Sequence, residues 1–230
     1  MSEEKTFIRR IRSFVKREGR LTAGQQRALD HLFPIYGLSL QNKEINLPDI
    51  FQRSASTILE IGFGNGTSLA EMATNNPEQN YIGVEVHSPG VGNLLLQIEE
   101  RGLTNVRVIN DDAVDVLKQM ITDESLDAVY LFFADPWHKK RHHKRRIVQN
   151  EFVQLLRKKL KVGGVFHMAT DWEHYAKHMM QVMNESEGFE NTAGQDKFLP
   201  RPEYRPLTKF EQRGQRLGHG VWDLIFKKVN

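Results

Sequence analysis

The sequence predicts an α/β fold, a mostly parallel sheet with helices on both faces. Three observations predict it. From residue 56 onward, short strand-like runs alternate with helical stretches. Several of those runs are continuously apolar, the pattern of strands buried on both faces. A glycine-rich turn joins the first run to the helix behind it, and open α/β sheets bind ligands at such junctions. At 230 residues one domain suffices.

Residues 1–21 read as a basic, mobile arm, and residues 22–230 as a single domain. A helix is expected over 22–33, closed by Pro34, then an irregular approach over 36–55 with Pro48. The regular part follows. Strands are expected at 57–61, 81–86, 106–109, 126–133 and 164–169. Helices are expected between and after them at 67–74, 90–101, 113–120, 147–160 and 172–184. Two late strands fit 189–192 and 221–227, the second by its alternation. Residues 194–220 between them read as a long functional loop.

There are no cysteines, which excludes disulfides, zinc–thiolate sites and cysteine nucleophiles. No run is long and apolar enough to span a bilayer, and the first residues lack a signal-peptide core, so no membrane partner is expected and the cytoplasm is the expected location. The net charge is +3, but it is unevenly spread. Residues 138–146 read HKKRHHKRR, six lysines and arginines with no acid. The first twenty residues and the stretch from Lys197 are also basic, whereas 60–127 is rich in Asp and Glu. That split suggests a basic rim for a polyanion beside a more acidic pocket.

The turn from Glu60 to Gly66 reads EIGFGNG. Gly62, Gly64 and Gly66 allow close approach of backbone to a ligand at a helix N-terminus. Glu85, at the end of the second strand, is placed to accept from ribose hydroxyls. Asp111, Asp112 and Ala113 follow the third strand and sit where an adenine edge would lie. The glycine spacing differs from the dinucleotide fingerprint. A carboxylate at Glu60 would repel a pyrophosphate but suits a sulfonium and an ammonium group. S-adenosylmethionine therefore fits better than a nicotinamide dinucleotide, although an NAD(P)-dependent oxidoreductase stays open.

The fourth strand runs into Ala134, Asp135, Pro136 and Trp137. Pro136 stiffens the loop, and Trp137 offers a stacking or packing face. Asp135 can accept from N1–H and the amino group of guanine, leaving N7 free. The basic run follows directly. Lys139 and Arg141 are best placed for the base or its nearest phosphate, and Lys144, Arg145 and Arg146 for backbone phosphates. His138, His142 and His143 lack partner carboxylates at helical spacing, so no metal is expected. Asp171 follows the fifth strand, at the same sheet edge, where it could also cap the next helix. On residues alone, Thr208 to Glu211 read as surface loop.

Together these motifs resemble the bacterial tRNA (guanine-N7-)-methyltransferase family, over about residues 22–228. The matching pieces are LEIGFGNG from Leu59, GVEV from Gly83, DPWHKKRHHKRR from Asp135, ATDW from Ala169, and TKFE from Thr208 with Gly214 behind it. The resemblance implies a Rossmann-like class I methyltransferase fold, seven-stranded with an antiparallel last strand. It implies S-adenosylmethionine as donor and a variable-loop guanine of tRNA as acceptor. Residue by residue it implies Glu60, Glu85 and Asp112 on the cofactor and Asp135 as the principal active-site acid. It implies Lys139, Asp171, Thr208, Lys209, Phe210 and Glu211 on the substrate, and Arg141 to Arg146, His142 included, on RNA. The family usually has proline where this chain has Ala134, so a slightly freer loop is expected. A monomer is expected. A non-catalytic RNA-binding module and a methyltransferase with a different acceptor also stay open.

Overall fold

A computed structural model describes residues 11–15, 19–208, 211–212 and 220–230. Among these residues the chain opens with α1 (Ala23–His31), α2 (Phe33–Tyr36) and α3 (Leu47–Phe51). Then come β1 (Thr57–Ile61), α4 (Thr67–Asn75), β2 (Asn80–Val84), α5 (Ser88–Arg101), β3 (Val106–Ile109), α6 (Ala113–Gln119) and β4 (Leu126–Phe132). A 3-10 turn over Lys140–Arg145 precedes α7 (Asn150–Lys159), β5 (Leu160–Thr170), α8 (Glu173–Asn184), β6 (Phe189–Asn191) and β7 (Trp222–Lys228).

The strands form one sheet in the order β3-β2-β1-β4-β5-β7-β6. β1 to β5 are parallel, and β7 runs antiparallel to both β5 and β6. Strand alternation divides the core in two. Leu59, Ile61, Val129, Leu131, Met168 and Leu224 pack with buried residues of α6, α7 and α8. Ile58, Ala128, Tyr130, Phe132 and Ala169 join the opposite cluster, with α1, α4 and α5. The order reverses between β1 and β4, so the loops after these two strands open into one crevice.

The differences from expectation have local causes. The first helix splits at Pro34, which starts α2, while Thr22 and Gln25 form a reciprocal capping box at the start of α1. The supposedly irregular approach contains α3, started by Pro48 and held by buried Leu47 and Phe51. β2 ends at Val84, which leaves Glu85 just beyond the strand. β5 is longer than its apolar core because a register shift between Leu126 and Ala128 lets it pair around Gly163 and Gly164. The basic run takes up a 3-10 turn, and α7 starts at Asn150 rather than 147. Of the arm, Ser13 is tied to the domain: its carbonyl accepts from the indole N–H of Trp137 at 3.0 Å.

Candidate active site

The glycine turn starts where β1 stops. Gly62 has φ +72° and no atom within 4 Å of where a Cβ would stand, so the backbone faces open space there. Gly66, φ +76°, has a different reason. A Cβ would come within 2.6 Å of Leu94 Cβ, so its absence lets α4 seat against α5. Glu85 locks the turn from the side. One carboxylate oxygen accepts from Gly64 N at 2.9 Å, and the other from Val86 N at 2.7 Å and His87 N at 2.9 Å. A carboxylate offers about four acceptor positions, so about one is left for a ligand hydroxyl.

A cavity of about 720 Å³ lies over this turn, within the range of ligand pockets. Of the expected cofactor residues, Gly62, Glu85, Asp112, Ala113 and Asp135 line it, beside Asp111. Lys139 and His142 close its other side, and Ser13, Phe14 and Val15 stand at its rim. Carboxylates thus gather along this cavity, with apolar Ile61, Val84, Leu131 and Ile147 between them. The donor set and the open turn fit S-adenosylmethionine. Asp112 is partly committed: its Oδ1 caps α6 by accepting from Val114 N at 3.0 Å.

Glu60 is placed differently from expectation. It is buried in β1 beneath the turn, outside the cavity lining, and one of its oxygens lacks a hydrogen-bond partner among the described residues. Burial first, and then the charge of Glu85, push its carboxyl up to about 8. A protonated Glu60 under the turn is therefore the favoured form at neutral pH.

The Asp135 loop is held in an unusual backbone shape. Phe133 and Trp137 have φ of +55° and +48°, rare for bulky residues and typical of functional loops. Its supports are specific. Phe133 N donates to Ala169 O at 2.8 Å, Arg146 Nε donates to Pro136 O at 2.9 Å, and the Trp137 indole is tied to Ser13. Arg145 lies over the Trp137 ring at 5.0 Å, so this half-buried indole packs against the basic run while also lining the cavity. Asp135 is exposed and has no hydrogen bond among the described residues.

Two residues expected at the substrate are buried. Arg146 is 2% exposed, stacks 4.9 Å over Tyr175 and touches His174 Nδ1 at 3.1 Å, so it braces the loop from below. Glu211 is 1% exposed, and both its oxygens accept from Arg205 at 2.8 Å. Lys139, Arg141 and Lys144 are exposed, and His142 and Arg145 are half-buried. Desolvation first, and then Arg141 and Arg145, hold His142 below the ordinary imidazole value. Asp171 is half-buried and without a partner among the described residues. It does not cap α8, whose cap position is Trp172. Thr208 Oγ1 accepts from Glu211 N at 3.1 Å. Lys209 and Phe210 lie outside the described residues.

Residue-type reasoning missed two features. Gly90 in α5 presses on the turn, since a Cβ there would stand 2.0 Å from Gly64 O. A buried cluster of His167, Arg205, Glu211 and Asp223, with the exposed Tyr204 reaching in to His167, fixes the late loop to the sheet. Local pattern carried little signal for it, because core-facing Trp222, Leu224 and Phe226 put Asp223 on the opposite face of β7.

A Rossmann-type sheet with an antiparallel β7, and an acidic cavity at its switch point beside a basic rim, define a class I S-adenosylmethionine-dependent methyltransferase. Solved structures share this fold: the 16S rRNA methyltransferase KamB matches with a TM-score of 0.59 at 14% identity, over 82% of this chain and 96% of that one. A precorrin-6y C5,15-methyltransferase from Geobacter metallireducens matches at 0.53 and 13% identity, over 82% and 92%. A family model described as a putative methyltransferase matches residues 54–224. Curated relatives named tRNA (guanine-N(7)-)-methyltransferase are more similar in sequence. That of Aeromonas hydrophila is 61% identical over 229 residues, 100% of this chain and 97% of the relative. That of Shewanella amazonensis is 60% identical over 228 residues, 99% and 96%. The chain belongs to the tRNA (guanine-N(7)-)-methyltransferase family.

Proposed function

We propose that this chain transfers the methyl group of S-adenosylmethionine to N7 of a guanine in the variable loop of tRNA. The observation that carries this reading is the position of Asp135, exposed and unpartnered among the described residues, between the acidic cavity and the basic 138–145 stretch. The names of the full-length relatives support the acceptor.

The chemistry asks little of the protein beyond placement. S-adenosylmethionine supplies an electrophilic methyl group on sulfur. Guanine N7 already carries a free lone pair, so neither a proton-abstracting base nor a metal is needed to make the nucleophile. Asp135 accepts from N1–H and the amino group, which orients the ring and leaves N7 bare. The purine becomes cationic on methylation, and the Asp135 carboxylate stabilises that charge. Lys139 and Arg141 hold the nearest phosphates, with Lys144 and Arg145 further along the strand. Glu85 and Asp112 serve the cofactor side with Gly62 and Ala113. Glu60 supports the turn from beneath, and Asp171 and Thr208 flank the incoming base. These groups all come from one chain, so a monomer suffices, and the cytoplasm is its proposed location.

The test is nucleoside mass analysis of an unmodified tRNA transcript after incubation with the protein and S-adenosylmethionine. 7-Methylguanosine at one variable-loop position is expected. Methylation of another base, or none, would remove the reading.

A further inference from the structure

The late loop carries Thr208 and Glu211, yet its fixed point is Arg205. This guanidinium is 1% exposed and donates to two carboxylates. Nε and Nη2 reach Asp223 at 2.7 and 2.9 Å, and Nη1 and Nη2 reach Glu211 at 2.8 Å each. Both forks are bidentate, which sets orientation as well as distance. Asp223 is itself held. It lies in β7 opposite Ala169 of β5 and shares its Oδ1 with His167 Nε2 at 2.8 Å. The other nitrogen of His167 meets the Tyr204 hydroxyl at 2.8 Å. Burial first keeps the imidazole below its ordinary value, against the pull of Asp223. The neutral ring then donates from Nε2 and accepts from Tyr204 at Nδ1.

The cluster has a direction. Asp223 stands beside the end of β5, two residues before Asp171 in the strand register. The Arg205 guanidinium lies 5.7 Å from the Phe132 ring centre and 5.6 Å from that of Phe133, which immediately precede Ala134 and Asp135. One cation thus touches the root of the Asp135 loop, the last strand and the turn that Thr208 opens. Each Glu211 oxygen accepts from Arg205, and the side chain is 1% exposed.

We infer that Arg205 is a positioning residue that holds Glu211, and through it Thr208, against the root of the Asp135 loop, and that Glu211 serves methylation through this pairing with Arg205. The inference rests on the tRNA methyltransferase reading for its activity readout, and on none of it for its structural readout.

The experiment compares the full chain with Arg205→Lys, Glu211→Gln and the double variant. Arg205→Lys keeps the charge but loses the forks. Steady-state kinetics on a tRNA transcript give KM and kcat, S-adenosylhomocysteine titration gives cofactor affinity, and hydrogen exchange follows the Glu211 amide. Each single variant is expected to raise KM for tRNA about tenfold or more, with cofactor affinity within about twofold. The double variant is expected to be little worse than either single one, because both break one unit. Exchange at the Glu211 amide should quicken in Arg205→Lys while that of the β4 and β5 amides stays slow.

Multiplying losses in the double variant would overturn the inference, as would an Arg205→Lys protein with unchanged KM beside an inactive Glu211→Gln. If Arg205→Lys unfolds at assay temperature, Asp223→Asn loosens the same fork from the strand side and must give the same KM rise and the same faster exchange, or the inference is wrong. A wild-type protein that methylates no tRNA would defeat the functional reading alone, and the exchange result would still decide the role of Arg205.

Discussion

The Glu85 carboxylate accepts a hydrogen bond from the backbone N–H of Gly64 at 2.9 Å, so the acid proposed to hold the ribose also fixes the glycine turn. Replacing it therefore has two consequences. Glu85→Ala is expected to weaken S-adenosylhomocysteine binding by about tenfold or more, since a charge-assisted bond is worth about 1.5–3 kcal/mol. It should also lower thermal stability, because three backbone N–H groups lose their acceptor. Titration calorimetry and a melting curve on one sample check both. Unchanged affinity would place the ribose elsewhere.

Gly90 gives a purely steric test of the same turn. In Gly90→Ala the new Cβ would meet Gly64 O, which is backbone and cannot swing away. A cost of about 1–3 kcal/mol in stability is expected, with loss of cofactor affinity as the turn is pushed into the cavity. Gly24→Ala in α1 is the control, since its Cβ would meet only Leu96 Cδ1 at 3.8 Å. That variant should be neutral or slightly more stable.

The raised carboxyl of Glu60 makes a prediction about pH. In the unfolded chain this group ionises near its ordinary value, and in the folded chain near 8. The folded state thus binds the extra proton between those limits, and stability falls as pH rises through that window. Glu60→Gln stays neutral throughout and should flatten this part of the curve. Denaturant unfolding at several pH values, from about 5 to about 9, measures it. Parallel wild-type and variant curves would contradict it.

Arg146 and Lys144 sit two residues apart in one basic run and should behave oppositely. Arg146→Ala leaves Pro136 O without its donor and should cost about 1–3 kcal/mol in stability, with the Asp135 loop loosened. Lys144→Ala removes an exposed charge. It should leave the melting curve unchanged and reduce the salt dependence of tRNA binding by about one unit of slope. Binding titrations at several salt concentrations, with melting curves alongside, distinguish the two. An unaltered slope in Lys144→Ala would make that residue an idle solvated charge.

The contrast within the basic run also shows where sequence reading stops. The sheet was legible because β1 to β5 need near-continuous apolar runs, and β1 and β3 matched their expected bounds. The cavity was legible because its acids follow strand ends, as Glu85, Asp112 and Asp135 do. What sequence hid was the inward direction of charged groups. In a row of six cations nothing local says that Arg146 turns under Pro136 while Lys144 stays in water, because its partners lie in α8. The burial of Glu211 was hidden for the same reason. Its partner Arg205 is close in sequence, but burial of the pair depends on Asp223 in the last strand. Glu60 was read as a cofactor acid, and it lies buried in β1 outside the cavity lining.

The central claim is that Asp135 orients guanine beside the methyl donor and takes no proton. The most direct measurement is single-turnover methyl transfer to a saturating tRNA transcript by Asp135→Ala, with tRNA affinity measured on the same protein. A transfer rate lower by about 100-fold or more is expected, with tRNA affinity within about threefold of wild type. An Asp135→Ala protein that transfers methyl at the wild-type rate would contradict the claim.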